Sequence, residues 1–199
     1  MNLPNKLTIT RMVLIPFILL FLVPIPFMPD AFNDFVLTWP GRLIAIVLFV
    51  AASLTDLFDG RIARKKNLIS TFGKFFDSIA DKLLVISVLI AFVQLQRLHV
   101  FVPVLVLARE LAISGIRMLA AERGQVIAAA LPGKLKTVTQ LIALNWLLAE
   151  PILFSLFGGR KTIETIGNVL VVISLIMTVW SFMTYYQATK GLLKGASST

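Results

Sequence analysis

Asp56, Asp59, Asp77 and Asp81 are four of the chain's ten acidic residues, and they fall within one short stretch. On helices, the first pair would lie about 60° apart and the second about 40° apart around their axes. Brought together in a partly buried groove, four carboxylates must either take up protons or be neutralised by cations. Oxygen-only donors suit a hard ion such as Mg²⁺, Mn²⁺ or Ca²⁺. Carboxylate-bound Mg²⁺ is typically shared with substrate phosphates, and paired ions of this kind serve phosphoryl transfer. Gly60 and Gly73 leave room for a ligand or a facing backbone, and Arg64 follows Asp56 by two turns, in position to pair with a phosphate. The plainer alternative is ion pairing with Arg61, Arg64, Lys65, Lys66, Lys74 and Lys82. Four acids at helical spacing in so apolar a chain favour the metal reading.

The elements that must carry these acids are membrane helices. Of 199 residues, 58% are hydrophobic and only 15% are charged, with a mean hydropathy of +0.90. A soluble domain is closer to half apolar and a quarter charged. A span needs roughly 20 mostly apolar residues. Six stretches qualify, at about 9–28, 41–60, 75–97, 99–121, 137–157 and 163–186. The expectation is an all-α integral membrane protein, a six-transmembrane-helix bundle forming a single domain over 1–199. A short N-terminal interfacial segment, "MNLPNKLTITR", precedes it. Within that segment Pro4 can open a helix, and Asn5 and Thr8 can either cap it or bind a ligand. The first apolar run is too long for a signal h-region and lacks a small-residue cleavage site, so it reads as a retained span.

With no cysteine, thiolate catalysis, disulfides and Cys-ligated zinc are excluded. The net charge of +9 reflects basic residues scattered between spans, which fits the positive-inside rule and anionic lipid rather than nucleic acid. A cytoplasmic N-terminus and six crossings put Lys6, Arg11, Arg61, Arg64, Lys65, Lys66, Lys74, Arg123, Lys134, Lys136, Lys190 and Lys194 on the cytoplasmic side. Arg42, Arg97, Arg160 and Lys161 fall on the other. Both termini and the aspartates are therefore expected at the cytoplasmic face of the cell membrane.

Written as a pattern, the stretch is D-x-x-D-G-x-x-A-R, eight residues, then G-x-x-x-D-x-x-x-D. It resembles the signature of the CDP-alcohol phosphotransferases at all its fixed positions. The resemblance implies six transmembrane helices, usually in a homodimer, and a reaction dependent on two divalent cations, Mg²⁺ or Mn²⁺. It implies that Asp56, Asp59, Asp77 and Asp81 bind the metals, with Asp81 also the general base. Gly60, Ala63, Arg64 and Gly73 would line the pocket for the CDP-lipid. "NLPNKLTITRMVLIP", "ARELAISGIR" and "GKLKTVTQ" resemble the branch of that family that uses CDP-diacylglycerol and glycerol 3-phosphate.

An anionic acceptor needs a cationic site. Arg117, Lys134 and Lys136 fall near the cytoplasmic side and are the candidates for the acceptor phosphate; membrane anchoring is the competing reading of each. Arg109 beside Glu110 reads as a structural pair. His99 and the aromatics Trp39, Trp146, Trp180, Tyr185 and Tyr186 read as interfacial or packing residues. "GKLKT" is not a phosphate-binding P-loop, since Leu135 stands where Ser or Thr is required. The expected reaction is transfer of a phosphatidyl group to glycerol 3-phosphate. The alternatives are a cardiolipin-type or inositol-phosphate transferase, or a cation transporter using the acids as an ion path. A transporter site usually lies near the bilayer midplane on broken helices, whereas these acids cluster toward one surface.

Overall fold

A computed structural model describes residues 3–66, 71–122, 124 and 131–196; within these, the side chains of 3–7, 56–66, 71–75, 77, 78 and 191–196 are not described. The described residues form seven helices, α1 (Leu3–Leu20), α2 (Asp30–Leu37), α3 (Trp39–Lys66), α4 (Thr71–Gln94), α5 (Phe101–Glu122), α6 (Leu131–Phe157) and α7 (Arg160–Ala196). The protein is an all-helical membrane protein. Both α6 and α7 are long and apolar enough to cross a bilayer, and α2 with the first part of α3, bent by 71° between them, is so as a pair.

The faces of α7 are distributed as a bilayer dictates. Val169, Val172, Ile176, Val179 and Met183 are exposed, while Ser174, Thr178, Ser181 and Thr189 are buried. In water this arrangement would leave a long apolar stripe unprotected. In lipid, exposed apolar side chains cost nothing and polar groups turn inward to find partners. Thr178 Oγ1 donates to the Ser174 carbonyl at 2.7 Å and Thr189 Oγ1 to that of Tyr185 at 2.8 Å, so these hydroxyls are satisfied within their own helix.

The core runs through α1, α3, α4 and α6. Ile15, Ile18 and Leu22 meet Ala45, Phe49 and Ala52, and Leu84, Val88 and Phe92 close the layer with Leu144 and Leu148. Small residues at Ala45 and Ala52, on one face of α3, allow close approach of helices. The second and third spans, adjacent in sequence and carrying the two acid pairs, are expected to pack as a helical hairpin. Among the described residues, α1 is instead the principal partner of both α3 and α4, wedged between them. The ends of α3 and α4 remain close because only residues 67–70 join them, a reach of at most about 18 Å.

The expected span 9–28 is shorter at its far end. The helix stops at Leu20, ahead of Pro24 and Pro26, which lack backbone donors and bar helical geometry in the residues before them. The segment expected to be interfacial is continuous with α1 from Leu3 onward. Beyond the prolines, Asn33 folds α2 back: its amide donates to the Ile25 carbonyl at 3.1 Å, and its Oδ1 accepts from the Ile25 amide at 2.8 Å. Buried Arg42 then donates to the Leu22 carbonyl, tying α3 to the end of α1.

At the same end of α6 and α7 sits a second lock. Arg97 forms a bidentate pair with buried Glu150, at 2.7 Å for each contact, and also donates to Asn168 at 2.7 Å. The tight turn between α6 and α7 uses Gly158 and Gly159 at φ of 64° and 62°, a left-handed conformation that other residues rarely adopt.

Candidate functional site

The sequence-predicted residues group on four helix segments. Asp56, Asp59, Gly60, Ala63 and Arg64 lie on the last three turns of α3, and Gly73, Asp77 and Asp81 on the first three of α4. Except for Asp81, the side chains of this group lie outside the described residues. The metal-ligand and CDP-lipid assignments for them are therefore set by helix position alone. Asp81 is exposed on the third turn of α4.

The basic group is built from α5, α6 and α7. Lys136 is 4% exposed, and its Nζ donates to Glu110 Oε1 at 2.6 Å. The same oxygen accepts from Arg109 Nη1 at 2.8 Å. Glu110 thus pairs with two cations through one carboxylate and leaves the group net positive, a compact network in which every member depends on the others. The adjacent pair expected from sequence is present, with Lys136 as an added third partner. Arg109 Nη2 also donates to Ser181 Oγ of α7 at 2.6 Å. Its Nε is buried and has no hydrogen-bond partner among the described residues.

Arg117 is exposed on α5 two turns beyond Arg109. Its guanidinium donates to the Tyr185 hydroxyl and lies 5.2 Å from the centre of that ring. Lys134 is exposed on the first turn of α6. Gly133 beside it sits over the arginine–serine contact: a Cβ there would lie 3.8 Å from both Arg109 Nη2 and Ser181 Oγ.

Two participants were not identified as site residues from sequence. Ser181 was not singled out, and Tyr185 was read as an interfacial or packing aromatic. The available signal was the spacing of Ser174, Thr178, Ser181, Tyr185 and Thr189 along one face of an otherwise apolar helix. His99, expected at a membrane edge, stacks on Phe101 at 5.0 Å at the opposite end of α5 from Arg117.

The described residues thus gather Arg109 and Lys136 on Glu110, with Arg117 and Lys134 exposed on the same two helices. Such a cluster can bind a phosphorylated or otherwise anionic molecule. A family model described as CDP-alcohol phosphatidyltransferase matches residues 1–183. Curated relatives agree with it. The chain is 41% identical over 156 residues to the CDP-diacylglycerol–glycerol-3-phosphate 3-phosphatidyltransferase of Bacillus subtilis (strain 168), covering 78% of this chain and 80% of the relative. It is 37% identical over 189 residues to the protein of that name from Rickettsia typhi, covering 95% and 97%. A Shigella flexneri protein of the same name is 34% identical over 194 residues, covering 95% of each chain.

Proposed function

The chain belongs to the CDP-alcohol phosphatidyltransferase family, and we propose that it transfers the phosphatidyl group of CDP-diacylglycerol to glycerol 3-phosphate, releasing CMP. The products are phosphatidylglycerol phosphate and the free nucleotide. The reading rests on relatives named for this activity across nearly the whole chain. The observation that carries it in the fold is the cluster of basic side chains on α5 and α6, with Lys136 and Arg109 joined through Glu110 and Arg117 exposed on α5.

The chemistry assigns each residue a task. Asp56, Asp59, Asp77 and Asp81 offer an all-oxygen donor set on two helix ends joined by a short connection, which suits two Mg²⁺ or Mn²⁺ ions. When bound, those ions supply neutralisation of the diphosphate and of the leaving nucleotide. Gly60, Ala63, Arg64 and Gly73 line the CDP-lipid pocket, with Arg64 pairing to a phosphate. Arg117 and Lys134 reach the acceptor phosphate from exposed positions, and Lys136 adds its charge from beneath. Asp81 takes the proton of the acceptor hydroxyl. The acceptor oxygen forms a bond to the lipid-side phosphorus as the bond to the bridging oxygen breaks, and CMP departs with that electron pair.

In the membrane the chain is read as six spans of one domain in a homodimer. Both termini and the site face the cytoplasm, where the acceptor is dissolved, while the lipid tails of the donor stay in the cell membrane. Purified protein in lipid nanodiscs, given labelled CDP-diacylglycerol, should release CMP with glycerol 3-phosphate. Product from phosphatidylglycerol or inositol phosphate but none from glycerol 3-phosphate would assign another acceptor. Ion flux in proteoliposomes without CMP release would make the protein a carrier.

A further inference from the structure

Two hydroxyls on α7 each engage one arginine of α5. Ser181 is 0% exposed and Tyr185 is 3% exposed. They stand one turn apart on α7, on the face turned to α5. Ser181 Oγ receives Arg109 at 2.6 Å, and the Tyr185 hydroxyl receives Arg117. The order of contacts shows that α5 and α7 run in the same direction, so that advancing along one advances along the other. Other hydroxyls on this face, Thr178 and Thr189, bond to carbonyls of α7 itself. Ser181 and Tyr185 instead each accept from an arginine of the neighbouring helix.

A long guanidinium side chain has considerable rotamer freedom, and fixing it on binding a ligand costs affinity. A hydroxyl that accepts one of its five donors fixes the plane of the fork and leaves the remaining N–H groups directed elsewhere. Arg117 retains exposed surface while it is so held. Arg109 retains a buried Nε with no partner among the described residues. Gly133, with no side chain, passes over the Arg109–Ser181 contact, so the start of α6 closes on it. Glu110 meanwhile cancels part of the charge of Arg109 and Lys136. The affinity of the cluster for an anion therefore depends on how its guanidinium groups are oriented, not only on their number.

We propose that Ser181 and Tyr185 are positioning residues that pre-orient Arg109 and Arg117 toward the phosphate of the acceptor. The inference deepens the functional reading above and rests on it. Neither hydroxyl touches the reacting atoms; each acts through an arginine. Their removal should therefore weaken acceptor capture and leave donor lipid binding and the chemical step in place.

The test uses full-length protein in nanodiscs, with wild type, Ser181→Ala, Ser181→Thr, Tyr185→Phe and Tyr185→Leu. The readouts are kcat, KM for glycerol 3-phosphate, KM for CDP-diacylglycerol and thermal stability. Ser181→Ala and Tyr185→Phe should each raise the KM for glycerol 3-phosphate about three- to tenfold, the net worth of one typical intramolecular hydrogen bond. The KM for CDP-diacylglycerol and kcat should stay within about twofold of wild type. Ser181→Thr, which keeps the hydroxyl, should restore the acceptor KM, and Tyr185→Leu, which also removes the ring beneath Arg117, should be worse than Tyr185→Phe. An unchanged acceptor KM in Ser181→Ala and Tyr185→Phe overturns the proposal. So does a fall in Tm with equal effects on both substrates, which would make the contacts helix cement. A wild-type enzyme that ignores glycerol 3-phosphate overturns the functional reading itself, and this inference with it; an active wild type with insensitive variants overturns the inference alone.

Discussion

Lys136 on the second turn of α6 and Glu110 in the middle of α5 are joined at 2.6 Å, with their side chains 6% and 17% exposed. The pair ties α5 to α6 by charge. The same carboxylate also carries Arg109, so the network cannot lose its anion without leaving two cations facing each other. A buried ion pair contributes little compared with a well-packed apolar pair, but breaking one by removing a single partner is costly.

Glu110→Gln should therefore destabilise the protein by about 2 kcal/mol or more, a Tm loss of roughly 4–8 °C for a chain of this size. Lys136→Met should cost less, because Glu110 keeps Arg109 as a partner. The double variant should be more stable than Glu110→Gln alone, since it no longer buries an unpaired ammonium. Thermal unfolding of all three in detergent gives the cycle. Strictly additive losses would mean that the two groups are not coupled.

Asp81→Asn keeps the shape of the side chain and removes its capacity to take a proton. Turnover should fall by about 10²- to 10⁴-fold, while CDP-diacylglycerol binding, measured by protection against thermal unfolding, should persist. An amide variant with wild-type kcat would release Asp81 from the role of base.

Removal of divalent cations should abolish CMP release, and returning Mg²⁺ or Mn²⁺ should restore it, whereas Na⁺ should not. The expectation follows from the all-oxygen donor set and from the charge of the diphosphate. A full synthetic rate in excess chelator would leave the four aspartates without their proposed function.

Much of this was legible from residue types. The acids stand out because charged groups are rare in an apolar chain, and the all-helical membrane class follows from apolar length. The fold departs from that reading where tertiary contacts override local pattern. Asp30 and Asp34, placed between the first two spans by their sequence position, belong to α2. That helix is set by Asn33 gripping Ile25 and by Pro24 and Pro26 ending α1 early, which apolar counting does not register. Arg11, assigned to the cytoplasmic side from its charge, is 0% exposed within the bundle, a burial that charge alone does not signal. The wedging of α1 between α3 and α4 was equally hidden, since sequence neighbours suggest a simple hairpin. Arg117, Lys134 and Lys136 were proposed from charge, whereas Ser181 and Tyr185 drew no such reading, because a hydroxyl's partner is set by the helix it faces.

The lock at the far end of the bundle offers a control for all these variants. Gly167 on α7 packs directly on the Arg97–Glu150 pair: a Cβ at that position would lie 2.3 Å from Glu150 Oε1 and 2.8 Å from Arg97 Nη2. Both distances are well inside contact range, so Gly167→Ala must displace a bidentate pair that joins the α4–α5 connection to α6. The pair is largely buried, at 20% and 4% side-chain exposure, and cannot regain water to offset the loss. Stability should fall by about 1–3 kcal/mol, as for overpacking in a filled interior. The pair lies beyond the middle of α6 from Lys136, at the end remote from Asp81 and Arg117. Below its unfolding temperature the Gly167→Ala protein should therefore keep both KM values within about twofold of wild type, in contrast to Ser181→Ala. A selective rise in the KM for glycerol 3-phosphate in Gly167→Ala would show that acceptor binding tracks the stability of the helix bundle, not the local orientation of Arg109 and Arg117.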